Sequence, residues 1–212
     1  MFLKIFLWLI LTAVCTFAGQ RIINFYLRRN EELLQEYEMQ IAPVCHTVTL
    51  ALGTALALAL GYIVPATTFG KVLSCFLLYW LWLLWLIDWK YQFIFDDALV
   101  PLLVGGMVLA VYAPGALWLR LVAAGGTFIV LAALAILGRG ALGGGDVKMM
   151  AVVGLWLGTD VVLAAVIGFI LGGVGAVLLL LLRKAGRKDF FAFGPFLIIG
   201  VLVAWLAQAT AW

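Results

Sequence analysis

Apolar residues run along this chain in blocks long enough to cross a bilayer as helices, with short polar stretches between them. Crossing takes roughly 20 apolar residues, and on that measure spans are expected near 3–25, 47–66, 71–88, 98–118, 119–137, 147–158, 160–182 and 192–211. The sixth is too short to cross without a reentrant or packed environment. Lys4 ahead of an apolar run resembles a signal peptide, but the run continues through Phe25 to Arg28 and Arg29, so a retained first helix is expected. The longest polar stretch, 28–40, mixes Glu31, Glu32, Glu36 and Glu38 with Leu33, Leu34 and Tyr37 and predicts a short surface helix in a cytosolic loop spanning 28–45. No internal repeat occurs, which removes the inverted-repeat signature of many transporters. The expectation is one all-α domain over 1–212, a polytopic membrane bundle of about eight transmembrane helices.

Basic residues set the orientation, because short cytoplasmic loops retain Lys and Arg. With both termini outside, Arg21, Arg28, Arg29, Lys90, Arg139, Lys148, Arg183, Lys184, Arg187 and Lys188 lie inside, and only Lys4, Lys71 and Arg120 lie outside. That places the chain in a bacterial inner membrane. Composition agrees: 67% of the residues are hydrophobic and 11% charged, too few polar side chains to cover a water-soluble surface. Nine Trp suit helices whose rings settle at the headgroup layers. The net charge of +3 includes no basic run interleaved with aromatics, so nucleic acid is excluded as a partner and membrane lipid is the surrounding medium. Cys15, Cys45 and Cys75 stand far apart, with neither zinc spacing nor a disulfide framework, so no metal and no cofactor is expected. His46, alone at the start of a span, reads as an interface residue.

A carboxylate at the centre of a membrane helix costs roughly 2.5 to 3.5 kcal/mol by insertion scales, so one in or beside a span needs a reason. Asp88 ends the apolar run 77–87, and Asp146 follows Gly143, Gly144 and Gly145 and precedes the apolar helix 147–157. Asp96, Asp97 and Asp189 are expected in polar loops, and Asp160 at the outer end. The alternation of spans puts Asp88 and Asp146 at the same cytosolic face, where they can meet. Two carboxyl groups at hydrogen-bonding distance share one proton, which supplies an acid and a base together. The charged member draws a proton from water while the neutral member polarises a carbonyl oxygen, enough to hydrolyse a peptide bond. A helix N-terminus favours a charged carboxylate, which points to Asp146 as the ionised member, although proton sharing leaves the opposite division open. The glycines let the chain turn and let a substrate strand approach the backbone. The plainer alternative makes Asp88 an interface residue beside Lys90 and the glycine run a packing surface; the coincidence at one face weighs against it.

These residues resemble a known family. Ile87-Asp88-Trp89-Lys90-Tyr91-Gln92-Phe93-Ile94-Phe95-Asp96 is similar to the first motif of the prepilin leader peptidases, an aspartate after an aliphatic residue and a second aspartate eight positions on. Ala141-Leu142-Gly143-Gly144-Gly145-Asp146-Val147-Lys148-Met149-Met150, followed by Ala151, Gly154, Trp156, Leu157 and Gly158, is similar to the second, G-x-G-D. Phe193-Gly194-Pro195-Phe196 resembles the FGP element before the last helix. The likeness covers roughly residues 80–200. It implies a membrane aspartyl peptidase with Asp88 and Asp146 as the catalytic pair. Its partners would be prepilin or pseudopilin precursors, whose short basic leader is cut after a glycine at the cytosolic face. Gly143, Gly145, Lys148, Gly194 and Pro195 are the candidates for contacting the substrate. Lys148 is expected to pair with Asp146 or with lipid phosphate, and Gly172, Gly173 and Gly175 to pack helices.

Two departures matter. Phe95 stands where the family usually has Pro, and the first cytosolic loop has only Cys45 near it, where many relatives carry two C-x-x-C pairs and a methylating domain. A short form is therefore expected, a peptidase without the zinc site. Glu31, Glu32, Glu36, Glu38 and Asp97 form an acidic set at the same face, able to attract a basic leader across a Debye length of about 8 Å. The presenilin-type proteases share G-x-G-D but have Tyr-Asp in place of Ile87-Asp88 and a Pro-Ala-Leu that does not occur here. A small transporter or proton-coupled channel, the alternative outside the proteases, would hold its carboxylates near the midplane.

Overall fold

With no water in a bilayer core, each backbone N–H and C=O must find a partner inside its own segment, and among the described residues every regular element is a helix. The computed structural model describes residues 2–36, 47–63, 67–112, 117–138, 142–182 and 193–210. Glu38, Cys45, His46, Arg139, Arg183, Lys184, Arg187, Lys188 and Asp189 lie outside them. The helices are α1 (Phe2–Arg29), α2 (Glu31–Glu36), α3 (Thr47–Ile63), α4 (Thr68–Tyr91), α5 (Asp96–Tyr112), α6 (Leu117–Leu137), α7 (Gly144–Leu157), α8 (Val161–Leu181) and α9 (Gly194–Thr210). Each expected span has a helix of its own, and α2 is the short helix predicted in the polar loop.

Four stretches are long and apolar enough to cross a membrane by length and composition: Phe6–Arg29, Thr68–Tyr91, Leu117–Leu137 and the helical run Gly144–Leu178. The side chains agree with that solvent. In α6 only Leu131 is buried, while Ile129, Ile136 and Leu137 are more than two-thirds exposed. In water such a surface would be an association site; against lipid tails it is ordinary.

The chain divides into two compact units, Met1–Tyr91 and Gln92–Trp212. In the first, α3 packs on α4 and on α1. The Tyr79 hydroxyl of α4 donates to the Cys15 carbonyl of α1 at 2.7 Å, and it lies so close to Gly19 that a Cβ there would sit 2.9 Å from it. The ring of Trp82 packs against Gly53, where a Cβ would be 2.1 Å from two ring carbons. Small residues thus let large aromatic ones seat, the packing expected where apolar lipid gives no hydrophobic drive between helices.

The second unit is built around α7, which packs on α5, α6 and α9, while α8 packs on α9. The α8–α9 pair is antiparallel. Gly200 faces Ala164 and Gly168 faces Leu197, and a Cβ on Gly172 would strike the Phe193 ring at 2.2 Å. Gly172 is therefore a packing glycine as expected, whereas nothing lies within 4 Å of a Cβ on Gly173. Two positions correct the sequence reading of loops. Asp96 and Asp97 lie in the first turn of α5, where the positive end of the helix dipole favours acidic side chains. The helix after the glycine run begins at Gly144, so Asp146 lies within its first turn.

Candidate active site

Burial separates the acidic residues. Asp88 is 4% exposed and Asp146 7%, and they are the only charged residues buried among the described ones. Glu31, Glu32 and Asp96 are exposed, and Asp97 and Asp160 are intermediate. Asp88 belongs to the first unit, in the last turn of α4, where Leu84 and Ile87 are buried with it and Trp89 and Lys90 are exposed. It is buried although it lies near a helix end, beside the exposed Lys90. A carboxylate at that end meets the negative pole of its own helix, so its placement there is not explained by local stability. After Tyr91 the chain turns at Gln92, which has a left-handed φ of 53°.

Asp146 belongs to the second unit. Gly143 precedes α7 in extended conformation (φ −66°, ψ 141°), and its carbonyl accepts from the Val147 N–H at 3.2 Å. Counting from there, Asp146 is the third helical residue, and its Oδ2 would lie 3.1 Å from a Cβ on Gly143. The carboxylate thus folds back over the start of its own helix, the position from which an acidic side chain meets the unpaired first-turn N–H groups.

The three glycines do different things. A Cβ on Gly145 would lie 2.9 Å from Ile94 Cβ and 3.0 Å from Ile94 O, so Gly145 seats α7 against the 92–95 turn and not only against a substrate. Gly144 faces open space. Gly143 is exposed, with Asp146 as its neighbour.

Lys148 forms an ion pair with the start of α5. Its Nζ meets Asp96 Oδ2 at 2.5 Å, joining the first turns of α5 and α7, and both side chains are well exposed. Asp96 presents that carboxylate from the first turn of α5 and not from a loop. Such exposed pairs contribute about 0 to 1 kcal/mol.

Gly194 and Pro195 open α9 and are buried. Pro fits the first turn because its missing N–H would have had no helical partner. The Phe193 ring lies 5.3 Å from that of Phe169, tilted by 46°, and fills the notch at Gly172, so the Phe-Gly-Pro element anchors the start of α9 on α8. Phe95, in the position the family usually gives to Pro, is 1% exposed, and its carbonyl accepts from the Ala98 N–H at 3.1 Å. Arg120 entered the sequence reading only as an orientation marker, yet its Nη1 reaches the Leu155 and Trp156 carbonyls of α7. An arginine four residues inside an apolar helix was the signal for it.

The profile of the type IV leader peptidase family matches residues 75–185, just over half of the chain. Two curated relatives, both named prepilin leader peptidase/N-methyltransferase, come from Aeromonas salmonicida, one of them from strain A449. Each is 28% identical over 180 residues, which cover 80% of this chain and 55% of the relative. The chain thus spans about half the length of the curated relatives it matches. No solved structure matches it.

Proposed function

We propose a function from one premise: this chain belongs to the type IV leader peptidase family. It acts as a multi-pass aspartyl endopeptidase of the bacterial inner membrane, a single catalytic domain over 1–212 with about eight spans and both termini outside. It removes the basic leader of type IV pilin-like precursors, pseudopilins included, at the cytosolic face. The observation that carries this is burial: among the described residues the two acids named by the motifs are the two buried charges.

The mechanism uses both carboxyl groups on one water. The ionised member takes a proton as the water oxygen attacks the scissile carbonyl, and the protonated member donates to the developing oxyanion. Collapse of the tetrahedral intermediate then breaks the C–N bond, and a carboxyl proton passes to the leaving amine. One proton has entered the pair and one has left it, so the pair returns to its starting state. Asp146, in the first turn of α7, acts as the ionised member and Asp88, in the last turn of α4, as its protonated partner. Gly143 and Gly145 precede the ionised group, Lys148 stands two residues after it on α7, and Gly194 and Pro195 border the substrate path. Methylation of the new amino terminus, which the relatives' names include, is not assigned to this chain.

Coexpression with a type IV prepilin tests the reading: the precursor should shorten by its leader when the chain is present, and a precursor that stays full length would sink it. The acidic set on α2 and α5 supplies long-range attraction for the leader. Reversing Glu31, Glu32 and Asp97 to lysine together is expected to slow cleavage about fivefold at low salt and less than twofold at high salt, because screening removes what the charges contribute. Equal rates at low salt would dismiss that role.

A further inference from the structure

The motifs account for the start of α7 but not for its other end. At 14 residues α7 is about 21 Å long, short of the roughly 30 Å hydrocarbon core, so hydrophobic matching does not set its depth. Nine of its residues are buried, and two glycines index it sterically, Gly145 against Ile94 and Gly154 against the Ala124 backbone of α6. Directional contacts add to that steric register and resist displacement along the axis.

Three of them, among the described residues, tie α7 to its neighbours. At the first turn, Lys148 pairs with Asp96, but both groups are exposed and the pair is weak. In the last turn the Trp156 indole N–H donates to the Leu102 carbonyl of α5 at 2.9 Å in a buried setting. Also in the last turn, Arg120 of α6 donates from Nη1 to Leu155 O at 2.7 Å and Trp156 O at 2.5 Å. Those carbonyls belong to the four that a helix end leaves without partners. The Gly158 N–H, at a φ of 60°, takes Gly154 O, and the Arg120 Cγ passes 3.8 Å from where a Gly158 Cβ would be. The arginine therefore closes the end of α7 at the negative pole of its dipole. Charge-assisted hydrogen bonds are roughly twice as strong as neutral ones, which ranks Arg120 first among the three. Its own helix gains nothing, since a cation in the first turn of α6 faces the positive pole.

We infer that Arg120 is a positioning residue that sets the depth of α7, and through it the depth at which Asp146 stands. An error of 1 Å at a reacting group costs up to a hundredfold in rate, so an anchor about 15 Å along the helix is sufficient to govern turnover.

The test reads depth and turnover separately, in the full-length chain in lipid vesicles. Gly144 is exposed, with open space around its Cα, so Gly144→Cys reports on the α7 terminus. It is placed in a chain whose Cys15, Cys45 and Cys75 are replaced by serine and labelled with a water-soluble maleimide. Arg120→Leu is expected to change the labelling rate at least fivefold, and Arg120→Lys to keep it within twofold of native. In chains that retain Gly144, Arg120→Leu should lower kcat on a prepilin about tenfold with KM within twofold, and Arg120→Lys should recover kcat to within threefold. If Arg120→Leu does not accumulate in the membrane, Arg120→Gln, which keeps a donor without charge, is read by the same criteria. Labelling within twofold of native in the neutral variant overturns the inference, whether or not cleavage falls. The kcat measurement rests on the proposed peptidase function; the labelling does not, so a native chain that leaves prepilin uncut fails that function alone.

Discussion

Asp88→Ala and Asp146→Ala should each leave a coexpressed type IV prepilin uncut, with cleavage at least a thousandfold below native and both variants still present in the membrane. General acid–base catalysis by one positioned group contributes about 10²- to 10⁴-fold, and a coupled pair loses its function when either member goes. The buried setting sharpens the expectation, because a side chain held at 4% or 7% exposure has no freedom to be replaced by a neighbour from the loops. Asp88→Asn and Asp146→Asn keep shape and remove the titration, so they should be as inactive as the alanine variants, which distinguishes chemistry from packing. Cleavage retained by any of these four variants would remove the pair from the mechanism, and Asp96→Ala is the control expected to cut.

The second large effect comes from a residue with no chemistry. Gly145→Ala should reduce cleavage tenfold or more although both aspartates remain, because the new Cβ would lie 2.9 Å from Ile94 Cβ and 3.0 Å from a backbone oxygen. A backbone cannot swing aside as a flexible side chain can, so α7 must shift or the 92–95 turn must open. Its neighbours calibrate the result. Gly144→Ala meets nothing within 4 Å and should cut within twofold of native, while Gly143→Ala places a methyl 3.1 Å from Asp146 Oδ2 and should fall between. Initial rates on a purified prepilin order the three. Equal losses at Gly144 and Gly145 would mean that the glycine run acts through chain flexibility and not through one close contact.

Much of this was legible before any coordinate. The solvent, the helices and their rough limits follow from apolar content summed over local windows, and a helix in lipid must close its hydrogen bonds within such a window. Asp88 and Asp146 stood out because a carboxylate beside an apolar run is costly wherever the chain folds, and the ordered motifs around them identified the family. Helix ends were less legible. Asp96 and Asp97 looked like loop residues by polarity, and the dipole of α5 made them its first turn.

The sequence by itself determined the medium, the family and the identity of the buried acids, since each depends on residues near one another in the chain. Only the tertiary structure decided that Lys148 reaches Asp96, 52 positions away, that Arg120 closes α7 from 35 and 36 positions away, and that one glycine of three is a contact. The physical reason is range: hydropathy and helix propensity accumulate locally, whereas an ion pair, a capped helix end or a missing Cβ acquires meaning from whichever neighbour the packing of helices delivers.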